Sequence, residues 1–263
     1  MPVSPKLLII FRHYREDLYS HRSRDPNKIR PKYFSNALCL LSILNSIEAS
    51  LSVGSTTLLI WYDGSDSDFN TDPILPLIKH FSPRISLMLY KKEYKETGSN
   101  ASEVLSFPEI LTYLSTINGH DYFYLVENDY LHRPTAINAL FELFSRHRDI
   151  DYLNLADHSD YYHLAIHTQH HTKFIYTDNF IAKSCVTTTG TFAARSKILK
   201  EDIPEILGRA DFEFFTLLTG IRGRRLWTVV PSQATHCMEN LMAPGVEWSI
   251  EAENLLTQAP TLS

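Results

Sequence analysis

Residues 121–129 read Asp121-Tyr122-Phe123-Tyr124-Leu125-Val126-Glu127-Asn128-Asp129, an apolar run that ends in two acids separated by an amide. A short continuous apolar run is typical of a strand that is buried on both faces of a sheet. If the extended backbone continues, Glu127 and Asp129 point to the same side, where two carboxylates could hold a divalent cation. A surface turn is an equally good interpretation, because Asp and Asn are frequent turn residues.

Strand-like and helix-like segments alternate on both sides of this run. The predicted strands are 6–11, 56–62, 85–90 and 121–126, and the predicted helices are 34–49, 73–81, 101–117 and 134–144. This alternation predicts an α/β fold with a doubly wound, mostly parallel central sheet. Ligands of such sheets bind outside the carboxyl ends of the strands, which is where Asp63 and the Glu127–Asp129 acids fall.

The C-terminal half of the chain has a different pattern, with short strand-like pieces in residues 151–195, a helix near 197–207 and a strand near 226–231. We therefore expect a mixed α/β half there. No internal repeat or low-complexity linker separates the two halves, so the 263 residues are predicted to form one domain. The tail beyond Cys237 could be a lid or a frayed end.

Composition and charge exclude several classes of protein. A net charge of −5 argues against duplex nucleic acid as a partner. The three cysteines show no CxxC spacing, so neither a disulfide framework nor a structural zinc site is predicted, and a reducing, cytoplasmic location is favoured. No stretch approaches the ~18 apolar residues of a membrane span, so we expect a soluble protein without a transmembrane segment.

Four segments carry the remaining chemistry in a fixed order. They are Tyr62-Asp63-Gly64-Ser65-Asp66-Ser67-Asp68, then Leu125-Val126-Glu127-Asn128-Asp129, then Thr189-Gly190-Thr191-Phe192-Ala193-Ala194-Arg195, and finally Ala210-Asp211-Phe212-Glu213 followed by Gly220, Pro231 and His236. This order resembles that of the inverting family 2 glycosyltransferases, which have the nucleotide-sugar transferase (GT-A) fold. The first strand, Ile9 to Arg15, is similar to that family's opening strand and its Tyr-Asn-Arg turn, with the Asn missing.

The resemblance implies a nucleoside diphosphate sugar of UDP or GDP type as donor, and a glycan or other hydroxyl as acceptor. Residues about 1–130 would then be the nucleotide-sugar-binding half, and about 131–263 the acceptor and catalytic half. Asp63 would contact the base and Glu127, which replaces an Asp of the family, would contact the ribose. The residues expected at the nucleotide sugar are Arg12, Tyr14, Asp63, Glu127, Asn128 and Gly190.

The resemblance also implies a metal ion and a general base. Asp129 and His236 would hold Mn²⁺ or Mg²⁺. Asp211 would be the base of a single displacement that inverts the anomeric carbon, with Glu213 as the alternative acid. Each acid also has a purely structural interpretation, because acids in the first turn of a helix are favoured by the helix dipole. Arg12 or Arg195 would assist at a phosphate or at a carboxylated acceptor.

Two other functions compete with this one. Residues 158–171 hold five of the twelve histidines, and His163 with His167 would share a face if this segment were helical. A metallohydrolase that uses these two histidines with Asp157 and Asp160 is therefore the second enzyme hypothesis. A non-catalytic nucleotide-binding or sugar-binding module is the third class. The long polar segment from Arg12 to Lys32 and the His-rich segment are not typical of the family, so their roles stay open.

Overall fold

The computed structural model describes residues 4–14, 29–94 and 101–258, and its central element is the first strand, β1 (Lys6–Tyr14). β1 pairs in parallel with β2 (Ser55–Asp63) on one side and with β4 (Tyr122–Glu127) on the other. The register places Tyr14 beside Asp63 and Arg12 beside Glu127. The three strands therefore end together at one edge of the sheet, and β1 runs two residues beyond the predicted end near Arg12.

The main sheet has nine strands within the described residues, in the order β3-β2-β1-β4-β9-β6-β10-β8-β7. The other strands are β3 (Ser86–Lys92), β6 (Tyr152–Asn154), β7 (Phe174–Tyr176), β8 (Ile181–Cys185), β9 (Phe192–Arg195) and β10 (Leu226–Val230). Their pairings make seven strands run in one direction and β8 and β9 in the other. The prediction of a mostly parallel sheet with a mixed C-terminal half is confirmed.

Helices cover both faces of this sheet. They are α1 (Asn36–Ser50), α2 (Asp66–Asn70), α3 (Leu75–Phe81), α4 (Ala101–Thr116), α5 (Ala136–Arg146), α6 (Ala165–Thr168), α7 (Ser196–Ile206), α8 (Asp211–Gly220) and α9 (Trp248–Gln258). Alternate residues of β1 face opposite layers, so Ile9 packs with α1 and α5 while Ile10 packs with α4, α7 and α8. Among the helices of the described residues, none is both long and apolar enough to cross a bilayer.

Short polar side chains begin two of the helices. The Ser35 hydroxyl accepts a hydrogen bond from the backbone N–H of Leu38 and starts α1. Ser65 and Asp68 form a capping box at α2, shortly after the end of β2. This short helix is not among the predicted helices.

A second, two-stranded sheet lies beside the first. It pairs β5 (Tyr130–His132) antiparallel with β11 (Ala234–His236), and its register places His236 directly opposite Tyr130. The backbone N–H of Cys237 continues the pairing to the carbonyl of Asp129, at 2.8 Å. This small sheet brings β11, with His236, to the edge of the main sheet where β4 ends.

β3 is one edge of the main sheet, and most of its residues are exposed. Its last two residues are lysines. Lys91 forms an ion pair with Asp66, and Lys92 forms one with Glu109 at 2.6 Å.

The C-terminal tail is packed as far as α9. Trp248, Ala252 and Leu255 of α9 are buried, and the Trp248 indole N–H donates to the carbonyl of Ala243 at 2.8 Å. The prediction of a lid or a frayed end is wrong for residues 237–258, because an apolar face holds this helix on the core. Residues 259–263 lie outside the described residues.

Arg195 is a structural residue. It ends β9 opposite Tyr122, which is the amino end of β4 and so the far end of the sheet from the predicted site. Its guanidinium donates to the carbonyls of Ile150, Phe144 and His147 at 2.7–2.9 Å. The expectation that Arg195 assists at a phosphate is therefore wrong.

Replacing Arg195 by Met should lower the free energy of unfolding by about 2–4 kcal/mol, because these three backbone carbonyls lose their hydrogen bonds from a charged donor. Urea denaturation measures this loss. The matched control is Arg146→Met, which removes an exposed ion pair with Asp178 and should cost about 1 kcal/mol or less. Equal losses in the two variants would contradict the structural role.

Candidate functional site

The site begins at the carbonyl of Tyr14, the last residue of β1. This oxygen accepts hydrogen bonds from two side-chain amides, Asn36 Nδ2 at 3.1 Å and Asn128 Nδ2 at 3.0 Å. Asn128 is buried and follows β4 directly. The predicted nucleotide-binding residues Tyr14 and Asn128 thus lie together at the edge of the sheet, where the amide of Asn128 fixes the end of β1 against the turn after β4.

The first charged cluster joins Arg12 to Glu127. The guanidinium of Arg12 forms an ion pair with Oε1 of Glu127. Thr191 contributes its hydroxyl, which lies 3.3 Å from Oε2 of Glu127 and accepts the backbone N–H of the same residue at 3.1 Å. Gly190 adjoins this carboxylate, since an added Cβ would lie 3.7 Å from Oε1. The segment before β9 therefore closes against the end of β4.

A cavity of about 380 Å³ opens beside this cluster. Four predicted site residues line it, namely Arg12, Glu127, Gly190 and Asp211, together with the apolar side chains of Phe107, Pro108, Leu111, Leu207 and Phe214. A carboxylate, an ion pair and an apolar wall thus share one concave surface, which is the usual character of a small-molecule site.

The two acids of the predicted base motif have different surroundings. Asp211 is the first residue of α8 and lines the cavity. The carboxylate of Glu213 accepts the backbone N–H of Ala210 at 3.3 Å and caps the same helix. Glu213 is not among the residues that line the cavity. The geometry therefore favours Asp211 over Glu213 as the residue that meets a ligand.

The second charged cluster is centred on Asp129. Its Oδ2 lies 2.9 Å from Nε2 of His236 and 2.9 Å from a guanidinium nitrogen of Arg30. The ring of Tyr130 stacks on His236 with centroids 4.9 Å apart and planes inclined by 8°. The Tyr130 hydroxyl hydrogen-bonds to Thr189 at 2.7 Å. Two residues that are 107 positions apart in the sequence, Asp129 and His236, are thus neighbours as predicted.

Glu127 and Asp129 do not face one cation, and the expectation that they do is wrong. β4 ends at Glu127 and β5 begins at Tyr130, so the extended backbone stops between the two acids. Within that turn Asn128 bonds to β1. Glu127 therefore faces Arg12, whereas Asp129 faces Arg30 and His236.

Electrostatics keeps Asp129 ionised. Burial would raise the pKa of Asp129, but the neighbouring His236 and Arg30 outweigh this effect and hold it well below its usual range. For His236 burial acts in the opposite direction and would lower the pKa, but the carboxylate of Asp129 outweighs burial, so the pKa of His236 is raised. Burial, followed by the charge of Asp129, raises the pKa of Tyr14 to about 12, so its phenol stays neutral.

The Asp129–His236 pair has features of a metal site. Asp129 Oδ1 is buried and has no hydrogen-bond partner among the described residues, so a carboxylate oxygen is free to bind a ligand. The 2.9 Å between Oδ2 and Nε2 also suits two adjacent ligands of one ion, since perpendicular bonds of about 2.1 Å place their ends about 3 Å apart. No group of three His, Cys, Asp or Glu side chains suited to a metal occurs in the described residues. A cation here would need its other ligands from a nucleotide or from water.

Asp63 is at the end of β2, beside Tyr14, and is almost fully buried. Its Oδ1 accepts the backbone N–H of Tyr94 at 3.1 Å. Its contact with a nucleobase stays a prediction. Most of the polar segment from Arg12 to Lys32, namely residues 15–28, lies outside the described residues.

The His-rich segment does not have the geometry of a metallohydrolase. His163 follows a 3₁₀ turn at Ser159–Tyr162, while His167 belongs to the separate helix α6, so the two do not share a helix face. His167 is buried with its ring 4.5 Å from that of Tyr161. His158 is also buried, and its ring contacts Tyr130 edge-on at 6.1 Å. Within this segment, His158 therefore contacts the second charged cluster through Tyr130.

Sequence reasoning missed three residues of the site, namely Arg30, Tyr130 and Thr191. Tyr130 resembles any apolar strand residue, and Thr191 is one of four threonines in residues 186–191. Arg30 belongs to a long polar segment whose length alone indicates a function, because loops of about 20 residues without secondary structure are uncommon in compact domains.

No protein-family model matches the chain, and the search of curated proteins returned no match. Among solved structures, the chain is similar to S. aureus TarS 1–349, with 14% identity and a TM-score of 0.48, over 87% of this chain and 59% of that one. TarS 1–349 in complex with UDP-GlcNAc gives 13% and 0.47, over 87% and 57%. The inositol-1-phosphate CTP transferase of T. maritima gives 11% and 0.42, over 97% and 96%. The chain spans less than two thirds of the length of the TarS chains.

One buried histidine next to the site makes stability depend on pH. His132 of β5 is fully buried, and its Nε2 lies 2.8 Å from the hydroxyl of Tyr124. Burial lowers the pKa of His132 to about 3. Below the unfolded pKa of about 6.5 the unfolded chain binds a proton that the folded chain does not, so stability falls as the pH decreases toward 3.

His132→Gln should remove this dependence, because the amide can still meet Tyr124 but does not titrate. Between pH 7.5 and pH 5 the wild type should lose about 2 kcal/mol more unfolding free energy than the variant. Urea denaturation at the two pH values measures the difference. His80→Gln, at an exposed position, is the control and should retain the wild-type dependence. An unchanged slope in His132→Gln would show that His132 is not buried in its neutral form.

Proposed function

We propose that the protein is a metal-dependent inverting glycosyltransferase that moves a sugar from a nucleoside diphosphate sugar to an acceptor hydroxyl. The observation that carries this proposal is the cavity in which Asp211 faces the Arg12–Glu127 pair. The Asp129 cluster adjoins it, since Tyr130 of that cluster bonds to Thr189 in the loop that also supplies Gly190 and Thr191. The proximity of Asp211, the proposed general base, to the Asp129 cluster, the proposed anion-binding centre, supports a reaction that needs both.

In the proposed reaction, Asp211 takes the proton of the acceptor hydroxyl while its oxygen attacks the anomeric carbon. The bond from that carbon to the diphosphate breaks, and the nucleoside diphosphate leaves with the electron pair. Asp129 and His236 would hold Mn²⁺ or Mg²⁺, which supplies positive charge for the diphosphate when bound. Attack from the face opposite the leaving group inverts the anomeric centre.

The apolar wall of the cavity is part of this proposal. Phe107, Leu111 and Phe214 line the same cavity as Asp211, and with an acceptor bound against them they would exclude water, which would favour transfer to the acceptor over hydrolysis. We propose a glycan or another hydroxyl compound as acceptor, and a donor of UDP or GDP type. A cytoplasmic setting is proposed as well, because the three cysteines are free and buried thiols.

A non-catalytic nucleotide-binding or sugar-binding module is the second candidate. Glu127 already forms an ion pair with Arg12 and a hydrogen bond with Thr191, and a purely structural carboxylate would have such contacts. Incubation with UDP-sugars and GDP-sugars, followed by measurement of free nucleoside diphosphate, separates the two functions. Release of nucleoside diphosphate that depends on an acceptor supports the transferase, and binding without release supports the module.

Asp211→Asn should lower transfer by about 10²-fold or more, because the amide cannot accept the proton of the acceptor. Donor affinity, measured by calorimetry, should remain near that of the wild type. Glu213→Gln is the matched control in the same helical turn. It should keep transfer near the wild-type rate and lower the free energy of unfolding by no more than a helix cap contributes. If Glu213→Gln abolishes transfer while Asp211→Asn retains it, the base is Glu213.

Asp129→Ala should weaken binding of the nucleoside diphosphate strongly in the presence of Mn²⁺, because the ion would lose its charged ligand. Calorimetry with Mn²⁺ and with a chelator measures this effect. The double variant at His163 and His167 should bind nucleotide and Mn²⁺ like the wild type. Equal nucleotide affinity with and without chelator would remove the metal from the proposal.

A further inference from the structure

Arg30 occupies Oδ2 of Asp129, the carboxylate oxygen that lies beside His236. Its guanidinium nitrogen Nη2 and the imidazole of His236 are each 2.9 Å from the same oxygen of Asp129. Only one of these two partners, His236, can become a metal ligand, since arginine stays protonated and has no lone pair to offer. Arg30 is therefore a second cation at a site that is proposed to hold a cation.

Two other contacts hold Arg30 in place. Its Nη1 donates to the carbonyl of Cys237 at 2.8 Å, and the guanidinium carbon lies 4.7 Å from the centre of the Phe34 ring. Cys237 follows His236 directly, so the arginine is attached to the same strand end as the predicted metal ligand.

A metal ion that binds Oδ2 of Asp129 together with Nε2 of His236 would compete with Arg30 for that oxygen. A divalent ion on Asp129 and His236 would lie within a few ångströms of the guanidinium, and charges of the same sign repel strongly at that distance in a partly buried site. The ion would also take electron density from the oxygen that accepts the arginine N–H. Ion binding should therefore release Nη2 from the carboxylate.

The released guanidinium has a suitable partner if a nucleoside diphosphate is bound. An arginine carries five N–H donors in a planar fork, of which Cys237 and Asp129 take two among the described residues. This fork matches the oxygens of a phosphate. A lysine would supply charge at the same place but not the two parallel hydrogen bonds.

We propose that Arg30 exchanges partners, binding Asp129 in the nucleotide-free protein and the diphosphate of the donor once a divalent ion occupies Asp129 and His236. This inference rests on the proposed function, because it needs a diphosphate at this site. Arg30 competes with the metal and assists the nucleotide, so its removal should change the two affinities in opposite directions. A residue that only supports the fold would weaken both.

The test compares the wild type with Arg30→Met, which keeps the length of the side chain and its packing on Phe34. Binding of Mn²⁺ alone, measured by electron paramagnetic resonance, should become several-fold tighter in the variant. Binding of UDP and GDP at saturating Mn²⁺, measured by calorimetry, should become about tenfold weaker or more, the scale of a lost charge-assisted hydrogen bond. Binding of the nucleosides uridine and guanosine should not change.

Arg133→Met is the matched control, because Arg133 forms a similarly exposed ion pair with Glu251 at 2.8 Å outside the site. It should alter neither affinity. If Arg30→Met does not fold, as judged by circular dichroism, Arg30→Lys replaces it. That variant should keep the weak Mn²⁺ binding of the wild type and still lose affinity for UDP and GDP.

Affinities that fall together, or that both stay constant, would overturn the proposed exchange. A wild type that binds neither UDP nor GDP with Mn²⁺ would overturn the proposed function, and the role of Arg30 at the diphosphate with it. Normal nucleotide binding by the wild type together with an unchanged Arg30→Met variant would overturn the exchange alone.

Discussion

The antiparallel pairing of Tyr130 with His236 is the contact on which the candidate site depends. It joins β5 to β11, a strand about a hundred residues later, and it sets Asp129 and His236 side by side. Stacking of the two rings and the Cys237–Asp129 backbone bond fix the register of this pairing. Without it, Asp129 would be a buried carboxylate with Arg30 as its remaining cationic partner among the described residues.

The main sheet supplies the other half of the arrangement. Because β1 lies between two parallel neighbours in register, Tyr14, Asp63 and Glu127 must end at one edge. The single turn at Asn128 then separates two charged clusters that differ in character. One pairs an arginine with a glutamate beside a cavity that has an apolar wall, and the other gathers an arginine and a histidine around one aspartate.

Local patterns in the sequence predicted the parts of this structure that depend on local physics. The apolar runs gave β1, β2 and β4 within a few residues, and the acid before an apolar run placed Asp211 at a helix start. The separation of Glu127 from Asp129 was not predictable, because it depends on a bond from Asn128 to a carbonyl 114 residues away. The position of Arg30 depends likewise on contacts with Asp129 and Cys237 that no local pattern encodes.

The lysines at the end of β3 bear on how the protein behaves at high concentration. An edge strand offers unpaired backbone groups to any other strand, and neighbouring copies can add to it. β3 also exposes Met88, Leu89 and Tyr90, and these apolar side chains would not oppose such growth. Lys91 and Lys92, at the end of that edge, are held in ion pairs with Asp66 and Glu109. A strand added at that end would have to take these charged pairs out of water, and the free-energy cost of that desolvation opposes growth of the sheet there.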